Sequence, residues 1–175
     1  MTSTNSILMA CVLLLLTTTQ VTATELPKGI IESVNRTAPV TQLSDMDGKS
    51  QNIAQYRGRW VFVHFWASWC GPCRKEMPHI QKLVTSMQEQ GLAFMIINTA
   101  ESEDTVFAFL GGVAPELNSL MDRDGLVTER WQPRGLPATY LVDPVGIVRY
   151  QALGGRPWHK EPYMNFLKAL SKSDT

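Results

Sequence analysis

From Thr37 onward the chain switches between a two-residue and a three-to-four-residue period of apolar positions, and each switch predicts an element. Thr37 to Trp60 holds two alternating stretches about Asp47-Gly48, the composition of a hairpin turn, and Arg57-Gly58-Arg59 reads as a second turn. Trp60 to Trp66 (WVFVHFW) is apolar on both faces apart from His64, which predicts a central strand covered on each side. From Cys73 to Gln90 the pattern is helical: Met77, Ile80, Leu83, Val84 and Met87 form one stripe, with a kink expected at Pro78 and a stop at Gly91. Leu92 to Asn98 predicts another buried strand. Glu101 to Leu110 predicts a helix with Val106, Phe107 and Leu110 inward, ended by Gly111-Gly112.

A short strand at Leu117 to Met121 and a helical piece at Leu126 to Trp131 follow. Ala138 to Asp143 and Gly146 to Leu153 predict an antiparallel pair turning at Pro144-Val145, broken off by Gly154-Gly155. Glu161 to Leu170 closes the chain as a helix with Tyr163, Phe166, Leu167 and Leu170 on one side. Strands alternating with helices, then a hairpin and a helix, imply an α/β domain with a central mixed sheet flanked by helices on both faces.

Before Thr37 the pattern differs. The first charged side chain is Glu25, and Ile7 to Leu16 (ILMACVLLLL) has the length of an export-signal core, short for a membrane span. Val21-Thr22-Ala23 supplies the small residues a signal peptidase requires, so residues 1–23 read as a signal peptide cleaved after Ala23. The missing Lys or Arg in the n-region keeps an N-terminal membrane anchor as the alternative. Residues 24–35 read as a polar linker and 36–172 as the domain. Leu8 to Cys11 resembles a lipoprotein box, but the apolar run follows Cys11 instead of preceding it, the wrong order for lipidation.

Composition adds limits more than identity. With 175 residues, 44% hydrophobic and 18% charged, the chain is long enough for one ordinary core. Lys plus Arg and Asp plus Glu stand at 16 each, so net charge points to no nucleic-acid or anionic-membrane partner. Removing the leader removes Cys11 and leaves Cys70 and Cys73, in HFWASWCGPC from His64 to Cys73. A bridge closing so short a loop takes little entropy from the unfolded chain, so it is a poor staple. Two cysteines without a second Cys-x-x-Cys or Cys/His pair cannot close a tetrahedral zinc shell, and His79 and His159 show no ligand pattern. Neither a metal nor another cofactor is expected.

Cys-x-x-Cys near a βαβ pattern is a recognised thioredoxin-like redox motif. FWASWCGPC, the helix proline Pro78 and the downstream Gly135-Leu136-Pro137 together resemble the thioredoxin family in register. The narrower resemblance is to the exported TlpA-like or ResA-like thioredoxins. These carry an N-terminal hairpin, a central insertion and a glutamate three residues after the second cysteine; here the matching candidates are Thr37 to Tyr56, roughly Thr99 to Glu116, and Glu76.

The residues themselves then suggest roles. Cys70 lies where a strand ends and a helix begins, so free N–H groups and the helix dipole favour its thiolate, the attacking species. Cys73, one turn on, suits a shielded resolving cysteine, and Gly71-Pro72 stiffens the loop between the sulfurs. Glu76 shares the helical face of Cys73. Buried, it would exchange a proton with that thiol; solvated, it would only complement the helix dipole. His64 departs from the family, which places aspartate or asparagine there, and it reads either as a proton acceptor for Cys73 or as a satisfied core imidazole. Trp66 reads as core and Trp69 as part of the surface a protein substrate meets. Pro137 matches the family's cis-proline, which faces the cysteines, and the adjoining Leu136 offers backbone groups to an extended substrate segment.

The resemblance implies a monomeric thiol-disulfide oxidoreductase of the periplasm that reduces protein disulfides and is itself re-reduced by a membrane electron carrier of the DsbD type. Cytochrome c maturation and copper-oxidase assembly are the family's usual destinations. The Gly-Ala-Pro-Glu motif of the dedicated cytochrome c branch is replaced by Gly135-Leu136-Pro137-Ala138. Two rivals fit less well. A Sco-like copper chaperone places three residues between its cysteines and uses a distant histidine, for which His159 is the nominal candidate. A peroxiredoxin needs Thr or Ser three residues before its reactive cysteine, where this chain has Ala67.

Overall fold

The computed structural model describes residues 25–87 and 89–172, so the expected leader lies outside the described residues. The chain order is β1 (Ile30–Thr37), β2 (Gln42–Ser44), β3 (Ser50–Asn52), a single 3₁₀ turn (Ile53–Tyr56) and β4 (Val61–Trp66). Next come α1 (Gly71–Met87), β5 (Ala93–Thr99), α2 (Glu103–Val113), β6 (Leu120–Asp122) and α3 (Leu126–Trp131). The chain closes with β7 (Ala138–Val142), β8 (Ile147–Leu153) and α4 (Glu161–Lys172). Six strands form one mixed sheet in the order β1-β8-β7-β4-β5-β6, and β2 and β3 pair as a separate hairpin about Asp47-Gly48. This is a thioredoxin-like fold with the expected hairpin and the expected helix between β5 and β6.

The central strand explains the layering. Every residue of β4 is buried, and its two side-chain parities enter two different cores. Phe62 and Trp66 pack with Met77, Ile80 and Leu83 of α1 and with Phe166 and Leu167 of α4. Val61, Val63 and Phe65 pack with Val127 and Trp131 of α3 and with Tyr140. His64 has the parity of Phe62 and Trp66, so the strand period alone aims its imidazole at the α1 side. β4 runs parallel to β5 and antiparallel to β7, which places His64 opposite both Ile96 and Thr139.

Three expectations differ from what is observed. The stretch read as a linker already belongs to the sheet: β1 begins at Ile30 and pairs with β8 through Ile30–Ala152 and Ile31–Gln151. A register shift between Glu32 and Arg36 breaks its alternation, and a strand at the sheet edge needs few apolar residues. α2 runs through Gly111 and Gly112 to Val113, because glycine inside a helix costs only about 1 kcal/mol and Val106 and Leu110 anchor the helix on the core. Phe107 points outward, 70% exposed, and Phe109 takes the inward place, its ring 5.5 Å from that of Trp66.

α3 lacks a side-chain cap at its own N-terminus, where Gly125 adopts φ +73°. The buried carboxylate of Asp122, at the end of β6, takes over that role. It accepts from the Val127 N–H at 3.0 Å, the Thr128 N–H at 2.7 Å and the Thr128 hydroxyl at 2.6 Å. Asp122→Ala would strand these donors, and a loss of about 2–4 kcal/mol is expected in urea unfolding, with Asp122→Asn losing less.

Candidate active site

β4 delivers the chain to the edge of the helical layer, and Ala67-Ser68-Trp69 turns it into α1. Cys70 ends that turn and Cys73 lies in the first turn of the helix; the two are joined as a disulfide with Cα atoms 5.2 Å apart. Cys70 keeps slight exposure, whereas Cys73 has none, the asymmetry expected of an attacking and a resolving sulfur. The Cys73 N–H points at Cys70 Sγ across 3.3 Å, so one of the free amides of the helix start is directed at the sulfur whose anion it would stabilise. Gly71 and Pro72 are exposed, and Trp69 projects 69% exposed beside them. Trp66 is fully buried, donating its indole N–H to Ser119 Oγ at 3.1 Å. The Leu136–Pro137 bond is cis, Pro137 is buried, and Leu136 packs partly buried between the two cores.

Behind the disulfide lie two ionisable groups with almost no access to water. Glu76 is 2% exposed. Its Oε1 accepts from the Trp158 indole at 2.6 Å and from the Arg156 N–H at 2.8 Å, while Oε2 has no hydrogen-bond partner among the described residues. Burial pushes the Glu76 carboxyl up to about 7; the Arg156 N–H, the Trp158 indole and the Arg156 charge pull the other way but do not prevail. His64 is wholly buried. Its Nδ1 lies 2.9 Å from the Thr139 hydroxyl, its Nε2 has no hydrogen-bond partner among the described residues, and burial drives its pKa down to about 3. The two unclaimed atoms, Nε2 of His64 and Oε2 of Glu76, face each other across 3.6 Å. That separation has the range of an ion pair, yet both shifts favour the neutral forms. We therefore read the contact as a neutral imidazole beside a protonated carboxyl near pH 6, since a pair of charges here would lack the surrounding donors that repay desolvation. Of the readings open for Glu76 and His64, the structure selects burial for the first and shows an incompletely satisfied imidazole for the second.

Glu101, read above only as the start of a helix, clasps the active-site turn. Its Oε2 accepts from the Ser68 N–H at 2.7 Å and from Asn98 Nδ2 at 2.7 Å, and Oε1 accepts from the Ser68 hydroxyl. From the other side Arg74 donates to Ser68 O at 3.1 Å and lies over the Phe109 ring. No local pattern marks these contacts, because Ser68 and Glu101 are 33 residues apart and meet only when β4 and β5 pair. Trp158 and Arg156, the donors to Glu76, were likewise invisible at separations of 82 and 80 residues.

His79 and His159 come together with ring centroids 4.4 Å apart. Burial and the nearby Lys82 and Lys160 charges lower both pKa values, with His79 also acting on His159. Two imidazoles flanked by lysines fall short of a cation shell, and among the described residues no three His, Cys, Asp or Glu side chains gather as one. No described helix is long and apolar enough to cross a membrane.

Comparison with known proteins agrees with this geometry. Residues 34–151 match the model of the AhpC/TSA family. The chain is similar to the thiol-disulfide oxidoreductase ResA of Geobacillus thermodenitrificans (strain NG80-2), 34% identical over 117 residues, 67% of each chain. It is also similar to ResA of Bacillus subtilis (strain 168), 30% identical over 132 residues, 75% of this chain and 74% of that one. A solved structure of a putative thiol:disulfide interchange protein DsbE from Chlorobium tepidum superposes with a TM-score of 0.69 at 27% identity, covering 84% of this chain and 99% of that one.

The buried pair makes a prediction about stability. Between about pH 4.5 and 6.5 the unfolded chain carries one proton on this pair, on His64, and the native chain also carries one, on Glu76, so the pair adds no slope. Below 4.5 the unfolded chain binds two protons against one, and acid favours unfolding by on the order of 2 kcal/mol down to pH 3; above 6.5 it binds none against one, and stability falls again up to about 7. Subtracting the urea-unfolding profile of a His64→Asn/Glu76→Gln double variant from that of the wild type should show this plateau with a fall on either side.

Proposed function

Since the chain belongs to the AhpC/TSA family of thioredoxin-like proteins and is a thiol-disulfide oxidoreductase of the ResA-like kind, we propose that it reduces protein disulfides in the periplasm or an equivalent exported compartment. The observation that carries this reading is the asymmetric sulfur pair at a helix start, backed by a buried carboxyl with one oxygen free. In the reduced protein the Cys70 thiolate attacks one sulfur of a substrate disulfide. That bond breaks, the departing substrate sulfur takes a proton from solvent, and Cys70 is left in a mixed disulfide. Cys73 then loses its proton to the ionised fraction of Glu76, which a value of about 7 provides at neutral pH, and attacks Cys70, forming the intramolecular bond seen here and releasing the second substrate sulfur, which takes a proton from solvent.

A cleft of about 310 Å³ between α1 and the 155–157 loop touches Glu76, giving the proton a way to water. His64, 3.6 Å from the free carboxyl oxygen, stays neutral and can only accept a hydrogen bond from the protonated carboxyl through Nε2. Trp69, Gly71 and Pro72 form the surface the substrate meets, with the Leu136 backbone, before Pro137, pairing to an extended segment of it.

The direction of electron flow follows from Gly-Pro between the cysteines, the spacing residues of reducing thioredoxins with potentials near about −270 mV, as against about −120 mV for the oxidant DsbA. An oxidising compartment requires that such a reductase be recharged, and a membrane electron carrier of the DsbD type supplies the electrons to the monomer. Cytochrome c or copper-oxidase assembly is the destination that fits. The copper reading needs His159 to join the two cysteines, and among the described residues no three His, Cys, Asp or Glu side chains gather; the peroxidase reading lacks a hydroxyl at Ala67.

Cys73→Ser is expected to accumulate a mixed disulfide on Cys70, detectable by mass spectrometry, and Cys70→Ser to abolish exchange. Glu76→Gln should slow release of that intermediate by about 10²-fold and remove its inflection near pH 7, while leaving the first attack unchanged. A reduction potential close to that of DsbA would overturn the reductase assignment.

A further inference from the structure

On the α3 side the helical layer stops short of the sheet edge. α3 packs over β4 and β7 through Val127 and Trp131, and beyond it a groove of about 550 Å³ runs over β8 and β1. Ile31, Val34 and Leu153 line it with exposures of 55%, 88% and 48%, an apolar floor on an otherwise polar edge. Three arginines, Arg36, Arg134 and Arg156, line it as well, and no carboxylate does.

Two of these are anchored. Arg36 donates to Trp131 O at 2.8 Å and lies over the rings of Trp131 and Tyr140, and Arg156 donates to Leu153 O at 2.9 Å and to Gly29 O. Arg134 is exposed and forms no ion pair among the described residues. The groove reaches Arg134 and Ala138, on either side of the Leu136–Pro137 peptide, and Ala138 pairs directly with Leu153. It is therefore continuous with the backbone that would hold a substrate beside its disulfide.

We propose that this groove receives an extended, carboxylate-bearing segment of the substrate protein next to the disulfide being reduced, its apolar residues on Ile31, Val34 and Leu153 and its acid on Arg134. The inference rests on the disulfide-reductase reading and adds the class of substrate sequence. Three arginines with no carboxylate among the described residues that line the groove select an acidic occupant. A second copy of the chain fits poorly, because a two-fold contact through this face would set arginines against arginines. A concave channel also suits an extended chain better than the flat face of an anionic bilayer.

Two synthetic disulfide-bonded peptides with the same apolar residues, one flanked by Glu and one by Lys, test this with the mature chain, with hydroxyethyl disulfide as a substrate too small to reach the groove. The expected kcat/KM favours the Glu peptide by about tenfold at low salt. Arg134→Glu should erase that preference while hydroxyethyl disulfide is reduced at the wild-type rate, and Val34→Glu, at an exposed position, should weaken the Glu peptide alone. A cysteine-free Glu peptide should bind the oxidised protein in fluorescence anisotropy, and bind Arg134→Glu less. Equal rates for the two peptides, a preference that survives both substitutions, or binding to phosphatidylglycerol vesicles in place of the peptide would overturn the proposal. Peptide binding without reduction of hydroxyethyl disulfide would support the groove and overturn the reductase reading instead.

Discussion

A carboxyl group buried three residues beyond Cys73 sets the terms for the structure around it. Burying Glu76 as an anion would cost several kcal/mol, so the fold must either satisfy the charge or keep the proton on. It does half of each. Trp158 and the Arg156 N–H satisfy Oε1, while Oε2 is left facing an imidazole that is itself too deeply buried to take on charge. The outcome is a site holding one proton between two atoms with no other claim on it. Such an arrangement is poor for stability, and it is the one on which the proposed proton exchange with Cys73 relies.

The geometry that makes this possible is a parity argument. In β4 the residues of one face, Phe62, His64 and Trp66, all look toward α1, and in α1 Cys73, Glu76, Met77 and Ile80 all look back. A polar residue at the middle of that strand face must meet whatever polar residue lies near the start of the helix, because the surrounding side chains are apolar. His64 and Glu76 are thus each other's natural neighbour. A histidine here presents a ring nitrogen to the carboxyl where an asparagine would present an amide.

How far all this could be read beforehand depended on range. The elements came out because their signals are local: WVFVHFW has no polar face to expose, and the α1 stripe from Met77 to Met87 admits no strand. The failures were also local signals, outweighed by packing. Gly111-Gly112 looks like a stop, but Val106 and Leu110 hold α2 to the core beyond it. Phe107 looks inward by composition, but the 100° step of the helix gives that place to Phe109. Residues 30–35 look like a linker because an edge strand with a register shift keeps neither strict alternation nor many apolar residues. In the site, the cysteine pair, the cis proline and the exposed Trp69 were legible from motif and spacing. Glu101, Arg156 and Trp158 were not, since a hydrogen bond spanning 33 to 82 residues leaves no trace in any window of the chain.

Arg156 joins what would otherwise be two separate regions. Its backbone N–H ends on Glu76 Oε1, and its guanidinium, a few bonds away on the same residue, ends on the carbonyls of Leu153 and Gly29 at the margin of the arginine-lined groove. The guanidinium lies close against Gly29, whose φ of +80° is a backbone conformation that favours glycine. The peptide unit that orients the acid is therefore pinned from the groove side. One residue thus commits its main chain to the carboxyl behind the cysteines and its side chain to the sheet edge, which brings the two regions together through a single position of the chain.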